Sequence, residues 1–187
     1  MIADVFKDLP ELHTERLLLR KLKSTDADAV FQYASDPQVA RYTTWEFHRS
    51  IEASREFVNF VLQCYEQGKV APWALVERTG GRVIGTCGFV GWKPNQFRAE
   101  VGFALARSHW NKGFTTEAGR AVMEFAFDQG VNRLEGRCYL DNVGSARVLE
   151  KLGMRFEGIL RQHIYAKGQF YDVRMYSMLK EEWLHNE

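Results

Sequence analysis

Lys112, Gly113, Thr115 and Thr116 are gathered where a segment of alternating apolar residues gives way to one with a helical repeat. These residue types suit the binding of a polyanion. Glycine lets the backbone come close to a ligand, and the first N–H groups of a helix have no partner within it. The helix macrodipole, the Lys112 ammonium and the two threonine hydroxyls would each favour negative charge there, such as a pyrophosphate. An ordinary strand-to-helix turn also needs a glycine, so a purely structural Gly113 is the competing explanation. Two other phosphate loops are absent from the sequence. There is no G-x-x-x-x-G-K-[ST], and no G-x-G-x-x-G follows a strand, which removes P-loop and Rossmann dinucleotide sites. A second group lies in Asn142-Val143-Gly144-Ser145, where an amide and a hydroxyl near a helix start can act as ligands or simply as caps.

Both groups need elements to hold them. Phe97, Ala99, Val101, Phe103 and Leu105 alternate with Arg98, Glu100, Gly102 and Ala104, the period of a strand. From about Thr115 to Asp128 the apolar residues Ala118, Ala121, Val122 and Phe125 recur at helical steps, with Gly130 as the stop. A further strand is expected from Arg133 to Leu140, then a short helix ended by Gly153. Upstream, Arg16 to Leu22 reads as a strand, and Ala27, Val30, Phe31 and Ala34 share one helix face. Ile51 to Glu66 reads as a longer helix with Ala53, Phe57, Phe60, Val61 and Cys64 as its apolar stripe. Hairpins are expected around Thr79-Gly80-Gly81 and Ala166-Lys167-Gly168-Gln169, and Trp183 should dock the tail. Helices interrupting a largely antiparallel sheet give an α+β class. No repeat or linker divides the chain, so residues 1–187 are expected to form a single domain.

At this length folding should remove roughly 70% of the unfolded chain's accessible surface. Net charge is +1 with no long basic run, which argues against direct binding of nucleic acid. Cys64, Cys87 and Cys138 are odd in number and form no C-x-x-C, so neither a disulfide framework nor a zinc site is expected, and reduced thiols suit a cytoplasmic location. No window approaches the roughly 20 apolar residues that span a bilayer, so no membrane association is expected.

The two chemical groups belong to longer patterns. Trp110 to Ala118 follows W-x-K-G-[YF]-x-T-E-A, and Asn142 to Gly153 follows N-x-x-S-x-x-[VL]-x-E-K-x-G. In these motifs the chain resembles the GNAT superfamily of N-acetyltransferases that use acetyl-coenzyme A, and within it the RimJ/RimL-like branch. The similarity extends from Thr14-Glu15-Arg16-Leu17-Leu18-Leu19-Arg20 to Asp172–Leu179. It implies a mixed, mostly antiparallel sheet of six or seven strands with flanking helices. The strands beginning at Phe97 and Arg133 would run parallel and splay apart to admit the pantetheine arm. The resemblance further implies an oxyanion donor on main-chain N–H near Phe103 and pantetheine contacts along Phe103 to Leu105. It puts the pyrophosphate on Asn111, Lys112, Gly113, Phe114, Thr115 and Thr116, and calls for no metal. The general pattern [QR]-x-x-G-x-[GA] is altered here, with Trp110 first and Thr115 last. Where many relatives carry a tyrosine that protonates the departing thiolate, this chain has Leu149. In this branch the resemblance points instead to Ser145 as hydrogen-bond donor to the coenzyme sulfur, with Asn142 fixing the pantetheine amides.

Acetyl transfer to an amine also requires that the amine be neutral. Glu100, beside the expected splay, is the first candidate base, against a structural ion pair with Arg98 or Arg137. His163 in the closing hairpin is a second, whereas His48 and His109 read as loop residues. An α-amine with pKa about 7.7 to 8.0 is roughly 10 to 17% neutral at pH 7, while a lysine is on the order of 0.04% neutral. A weakly marked base therefore favours an α-amine acceptor, as does the branch's association with ribosomal-protein N-termini. By resemblance, acceptor contacts fall on residues 42–49, notably Trp45, and on Tyr165 and Tyr171 of the closing hairpin; packing at the sheet edge is the alternative. The leading expectation is acetylation of a protein N-terminus by direct attack in a ternary complex. The runner-up acceptor is a small amine such as an aminoglycoside, a polyamine or an amino-acid-derived toxin. A non-catalytic coenzyme A-binding module is the alternative of another class, and a covalent route through Cys87 or Cys138 is a further one. A homodimer is left open.

Overall fold

The computed structural model describes residues 5–185. A strand order of β1-β2-β3-β4-β5-β6-β8-β7 makes one eight-stranded sheet, in which only β5 (Arg98–Leu105) and β6 (Arg133–Tyr139) run parallel. The expected six or seven strands become eight because Leu12–His13 adds a two-residue β1 beside β2 (Leu17–Arg20). Strands β3 (Pro72–Glu77) and β4 (Arg82–Lys93) form the first expected hairpin. β7 (Arg155–Ala166) and β8 (Gln169–Leu179) form the second. The latter turns through Lys167 and Gly168, both at positive φ, 51° and 79°, the backbone of a type I′ turn.

Helices cover the two faces. The hydroxyl of Tyr33 in α1 (Ala27–Ala34) bonds Thr86 on one face of β4, while Phe125 of α4 (Phe114–Asp128) packs against Trp73 and Phe89 on the other. The short α2 (Pro37–Ala40) is capped by Asp36, whose carboxylate accepts the Gln38 N–H at 2.9 Å. Helix α3 (Ile51–Glu66) has the expected bounds and a shifted face. Its buried residues are Ser54, Val58, Val61, Cys64 and Tyr65, whereas Phe60 is exposed. Two of these are polar groups with partners: Ser54 Oγ lies 2.7 Å from His48 Nδ1, and the Tyr65 hydroxyl donates to the Pro72 carbonyl at 2.5 Å. Apolar periodicity cannot register buried residues of that kind. Helix α5 (Val143–Lys151) follows β6, and α6 (Lys180–Leu184) carries Trp183, which is buried against Phe127 at 5.6 Å. Phe97, expected at the head of β5, instead ends a short 3-10 turn in the left-handed region at φ 49° and is exposed.

The feature that positions the site is where β5 and β6 part. They pair from Arg98–Arg133 to Val101–Gly136 and no further. Beyond that point β5 stays with β4 as far as Leu105, and β6 stays with β8 as far as Tyr139, so a wedge opens inside the sheet. Two close approaches accompany it. Opposite β5, the register shift at Phe89/Gly91 leaves Val90 as an extra residue whose methyl would lie 2.6 Å from any Cβ at Gly102. Across the wedge, Leu149 of α5 would lie 2.6 Å from a Cβ at Gly136.

Candidate active site

The wedge leaves the facing edges of Gly102–Leu105 and Arg137–Tyr139 without strand pairing to each other. Phe103 and Leu105 lie on this stretch of β5, Phe103 half-buried and Leu105 buried. The Leu105 carbonyl is taken by the Trp110 indole N–H at 2.8 Å, which gives Trp110 a structural task at the motif's first position.

The chain then enters α4 through a loop with two left-handed residues, Asn111 at φ 60° and Gly113 at φ 81°. Gly113 occupies the N-cap position and no side chain caps the helix, so the first-turn N–H groups of Phe114, Thr115 and Thr116 have no partner within it. Successive N–H groups in such a conformation form an anion-binding nest, and the helix dipole adds to it. Asn111, Lys112 and Gly113 are exposed, Thr116 is half-buried, and Phe114 and Thr115 are buried. A pyrophosphate fits this cradle in its chemistry, because the donors are main-chain groups at a helix start beside the exposed Lys112.

Sequence reasoning passed over Arg16, which ties β2 to this loop. Its Nη1 donates to the Lys112 carbonyl at 2.9 Å, its Nη2 lies 2.6 Å from Glu117 Oε2, and its guanidinium stacks 4.3 Å over Phe114. Glu117 also accepts from Thr14 Oγ1 at 2.6 Å and the Arg16 N–H at 2.8 Å. Burial raises the Glu117 pKa, but these bonds and the Arg16 charge outweigh it and hold the carboxyl below its ordinary value. The available signal was a Thr and an Arg just before β2 and a Glu one turn into the motif helix.

Asn142 and Ser145 meet at the other side of the wedge. Asn142 Oδ1 accepts the Ser145 N–H at 3.1 Å, and Asn142 Nδ2 donates to Ser145 Oγ at 2.9 Å. Asn142 is therefore the N-cap of α5. The Ser145 hydroxyl, accepting from that amide, keeps its own proton free to donate elsewhere. Leu149 is fully buried in the core, 1% exposed, where it can hold no proton.

Glu100 sits on β5 one residue before the last β5–β6 pair, with its Oε1 2.6 Å from Arg137 Nε. Burial pushes its carboxyl above the ordinary value, and Arg137 opposes this only in part. The structure thus forms the ion pair with Arg137, while Arg98 goes to Glu135 at 3.3 Å. His163 is exposed on β7, away from any described partner, and His109 lies by the loop, its ring 5.5 Å from Phe114. His48 contacts Trp45 at 5.5 Å, and burial lowers its pKa.

On the acceptor side the expected residues divide. Tyr171 stacks on Tyr139 at 4.5 Å, and Tyr139 meets Tyr42 edge-on at 6.4 Å, so three distant segments converge. Tyr139 was not anticipated; its hydroxyl is buried without a hydrogen-bond partner among the described residues. Trp45 is half-buried beside His48. Tyr165 turns outward, 66% exposed, against Phe170, and does not join this cluster. Cys87 and Cys138 are buried, which pushes their thiols up to about 12 and about 11, so neither is a ready nucleophile. Among the described residues no cluster of His, Cys, Asp or Glu could hold a metal ion, and no helix is long and apolar enough to cross a membrane.

The acetyltransferase (GNAT) domain family matches residues 16–155. The uncharacterized N-acetyltransferase p20 of Bacillus licheniformis is 36% identical over 173 residues, covering 92% of this chain and 97% of the relative. A crystal structure of a GNAT-family acetyltransferase from Bacillus anthracis superposes with a TM-score of 0.82 at 28% identity, covering 92% of this chain and all of that one. More distantly, the ribosomal-protein-serine acetyltransferase of Escherichia coli is 25% identical over 135 residues, 72% of this chain and 74% of the relative. With a splayed β5–β6 pair, a loop of main-chain donors and these likenesses over most of its length, the chain belongs to the GNAT family and is an acetyl-coenzyme A-dependent N-acetyltransferase.

Proposed function

We propose that this enzyme acetylates the α-amine of a protein N-terminus by direct attack in a ternary complex. Coenzyme A supplies the acetyl group as a thioester. The chain's part is to hold the pyrophosphate on the N–H groups from Asn111 to Thr116, and the pantetheine along Phe103 and Leu105 with Asn142 fixing its amides. A main-chain N–H near Phe103 faces the developing oxyanion, and Ser145 donates to the departing sulfur. Tyr171 and Trp45, with Tyr139, line the approach of the acceptor.

The acceptor class rests on one observation: the carboxylates on the floor of the wedge are each engaged by arginine. Glu100 pairs with Arg137, and Glu135 with Arg98 and Arg133. A polycationic aminoglycoside or polyamine needs several uncommitted carboxylates, whereas a single α-amine does not. The name of the Escherichia coli relative points the same way. Residues 1–187 act in this reading as one domain in the cytoplasm, where three free, buried thiols stay reduced. The test is to follow acetyl-coenzyme A-dependent thiol release over a panel of ribosomal-protein N-terminal peptides, the same peptides with blocked N-termini, and small amines. Release with free N-termini only is expected; release confined to small amines would sink the assignment.

A further inference from the structure

Arg16 lies nearly a hundred residues before the loop, yet it reaches the one carbonyl that fixes the loop's donor direction. In a planar trans peptide the carbonyl oxygen and the following N–H point in opposite directions. The Lys112 carbonyl accepts from Arg16 Nη1 at 2.9 Å, so the Gly113 N–H is turned away from Arg16 and outward into the cradle. The left-handed φ of 81° at Gly113 then carries the chain into α4 with the next N–H groups aligned beside it.

The guanidinium is itself immobilised. Its Nε donates to Glu117 Oε2 at 2.7 Å, its Nη2 lies 2.6 Å from the same oxygen, and the Phe114 ring supports its face. Glu117 is anchored in turn by Thr14 Oγ1 and the Arg16 N–H. With its charge answered by Glu117 and its fork spent on Glu117 and Lys112, Arg16 is poorly placed to be a phosphate ligand of its own. Lys112, for which no ion pair occurs among the described residues, is the free cation beside the nest. We infer that Arg16, locked by Glu117 and Thr14, is a positioning residue that presets the Gly113 N–H and its neighbours for the coenzyme pyrophosphate. A lysine could keep the charge but could not bond Lys112 and Glu117 together from one planar fork. The inference rests on the loop being the pyrophosphate site.

The test compares coenzyme A with pantetheine, which lacks the diphosphate, in calorimetric titrations of the coenzyme-free protein and of its Arg16→Ala and Arg16→Lys variants. The same comparison is made in kcat/KM for acetyl-coenzyme A and S-acetylpantetheine, which gives a reading where pantetheine binds too weakly to titrate. Both variants should bind coenzyme A about tenfold more weakly or worse, with pantetheine affinity and S-acetylpantetheine turnover as in the wild type. If Arg16→Ala fails to fold, Arg16→Lys alone carries the test. A parallel loss for both ligands would mean that Arg16 only supports the fold, and unchanged coenzyme A affinity would mean that the loop does not depend on it; either overturns the inference. Should the wild type show no preference for coenzyme A over pantetheine, the pyrophosphate reading itself fails, which is a different result from failure of Arg16.

Discussion

From Asn111 to Thr116 the donors are main-chain N–H groups on a contiguous stretch, fixed by two left-handed residues and a helix start. Tyr42, Tyr139 and Tyr171, by contrast, meet through side chains that come from a loop, the end of β6 and the start of β8. The first arrangement depends on backbone conformation and tolerates many side chains; the second is made of side chains and can change its acceptor by changing them. That difference gives the two halves different failure modes. A change of backbone freedom at Gly113 should weaken coenzyme binding whatever the acceptor, while truncating an aromatic should alter the acceptor and spare the coenzyme.

The largest effect is therefore expected from Gly113→Val. A β-branched residue at φ 81° is strained, and its Cβ would lie 3.4 Å from Arg16 Nη2, crowding the group that holds the loop. Coenzyme A affinity should fall on the order of a hundredfold, about 2.8 kcal/mol, and the rise in melting temperature on adding coenzyme A should shrink with it. An undiminished rise would remove the pyrophosphate from this loop.

Ser145→Ala comes next. The Asn142–Ser145 pair looks like a simple cap, yet the cap function belongs to Asn142 Oδ1, which needs only the Ser145 N–H. The alanine variant keeps that N–H. Loss of the hydroxyl should lower kcat about tenfold or more, with coenzyme affinity and melting temperature near wild type, because a hydrogen bond to a developing thiolate is made mainly in the transition state. Asn142→Ala should instead cost about 0.5 to 2 kcal/mol of stability. A destabilised but fully active Ser145→Ala enzyme would reduce the hydroxyl to a structural role.

Tyr171→Ala should raise the acceptor KM by about tenfold through loss of the stack on Tyr139, and leave coenzyme A binding unchanged. Initial-rate kinetics with each substrate varied in turn separate the two. A rise in the coenzyme KM would contradict the division between the halves.

How far the sequence could be read follows the same division. The loop and α5 were legible because their residues are neighbours in the chain and their glycines mark backbone needs: Gly113 and Gly153 are both left-handed. Ile51–Glu66 was legible in extent, but its face was misjudged toward Phe60 because Ser54 and Tyr65 are buried by virtue of hydrogen bonds, not hydrophobicity. Phe97 kept the alternating phase of β5 while its backbone left the extended region. Arg16 and Tyr139 were not legible at all, since each acquires its meaning from a partner far away in the chain, and Tyr42 was legible only as a member of the acceptor segment 42–49, without its contact to Tyr139. Tyr165, in the closing hairpin, faces solvent against Phe170 instead of joining the Tyr42, Tyr139 and Tyr171 cluster.

Glu100→Gln should give the smallest effect on the proposed substrate, and it tests the acceptor class directly. Burial raises the Glu100 carboxyl above its ordinary value, so the folded state holds this proton more tightly than the unfolded chain. The sign follows: the cost of ionising Glu100 is absent below the unfolded value, fully present above the raised folded one, and a base role requires the ionised form. Wild-type turnover should then fall as pH drops through that raised pKa, and the glutamine variant should lose this limb of the profile. The size depends on the amine. An α-amine that is already roughly 10 to 17% neutral at pH 7 can gain only about six- to tenfold from full deprotonation, so its turnover should fall by less than about tenfold in the variant. A lysine side chain, on the order of 0.04% neutral, has far more to lose. Measuring kcat/KM against pH for an N-terminal peptide and for a lysine analogue decides the matter. Equal losses for the two amines, with the acidic limb intact, would leave Glu100 as the ion-pair partner of Arg137 and nothing more.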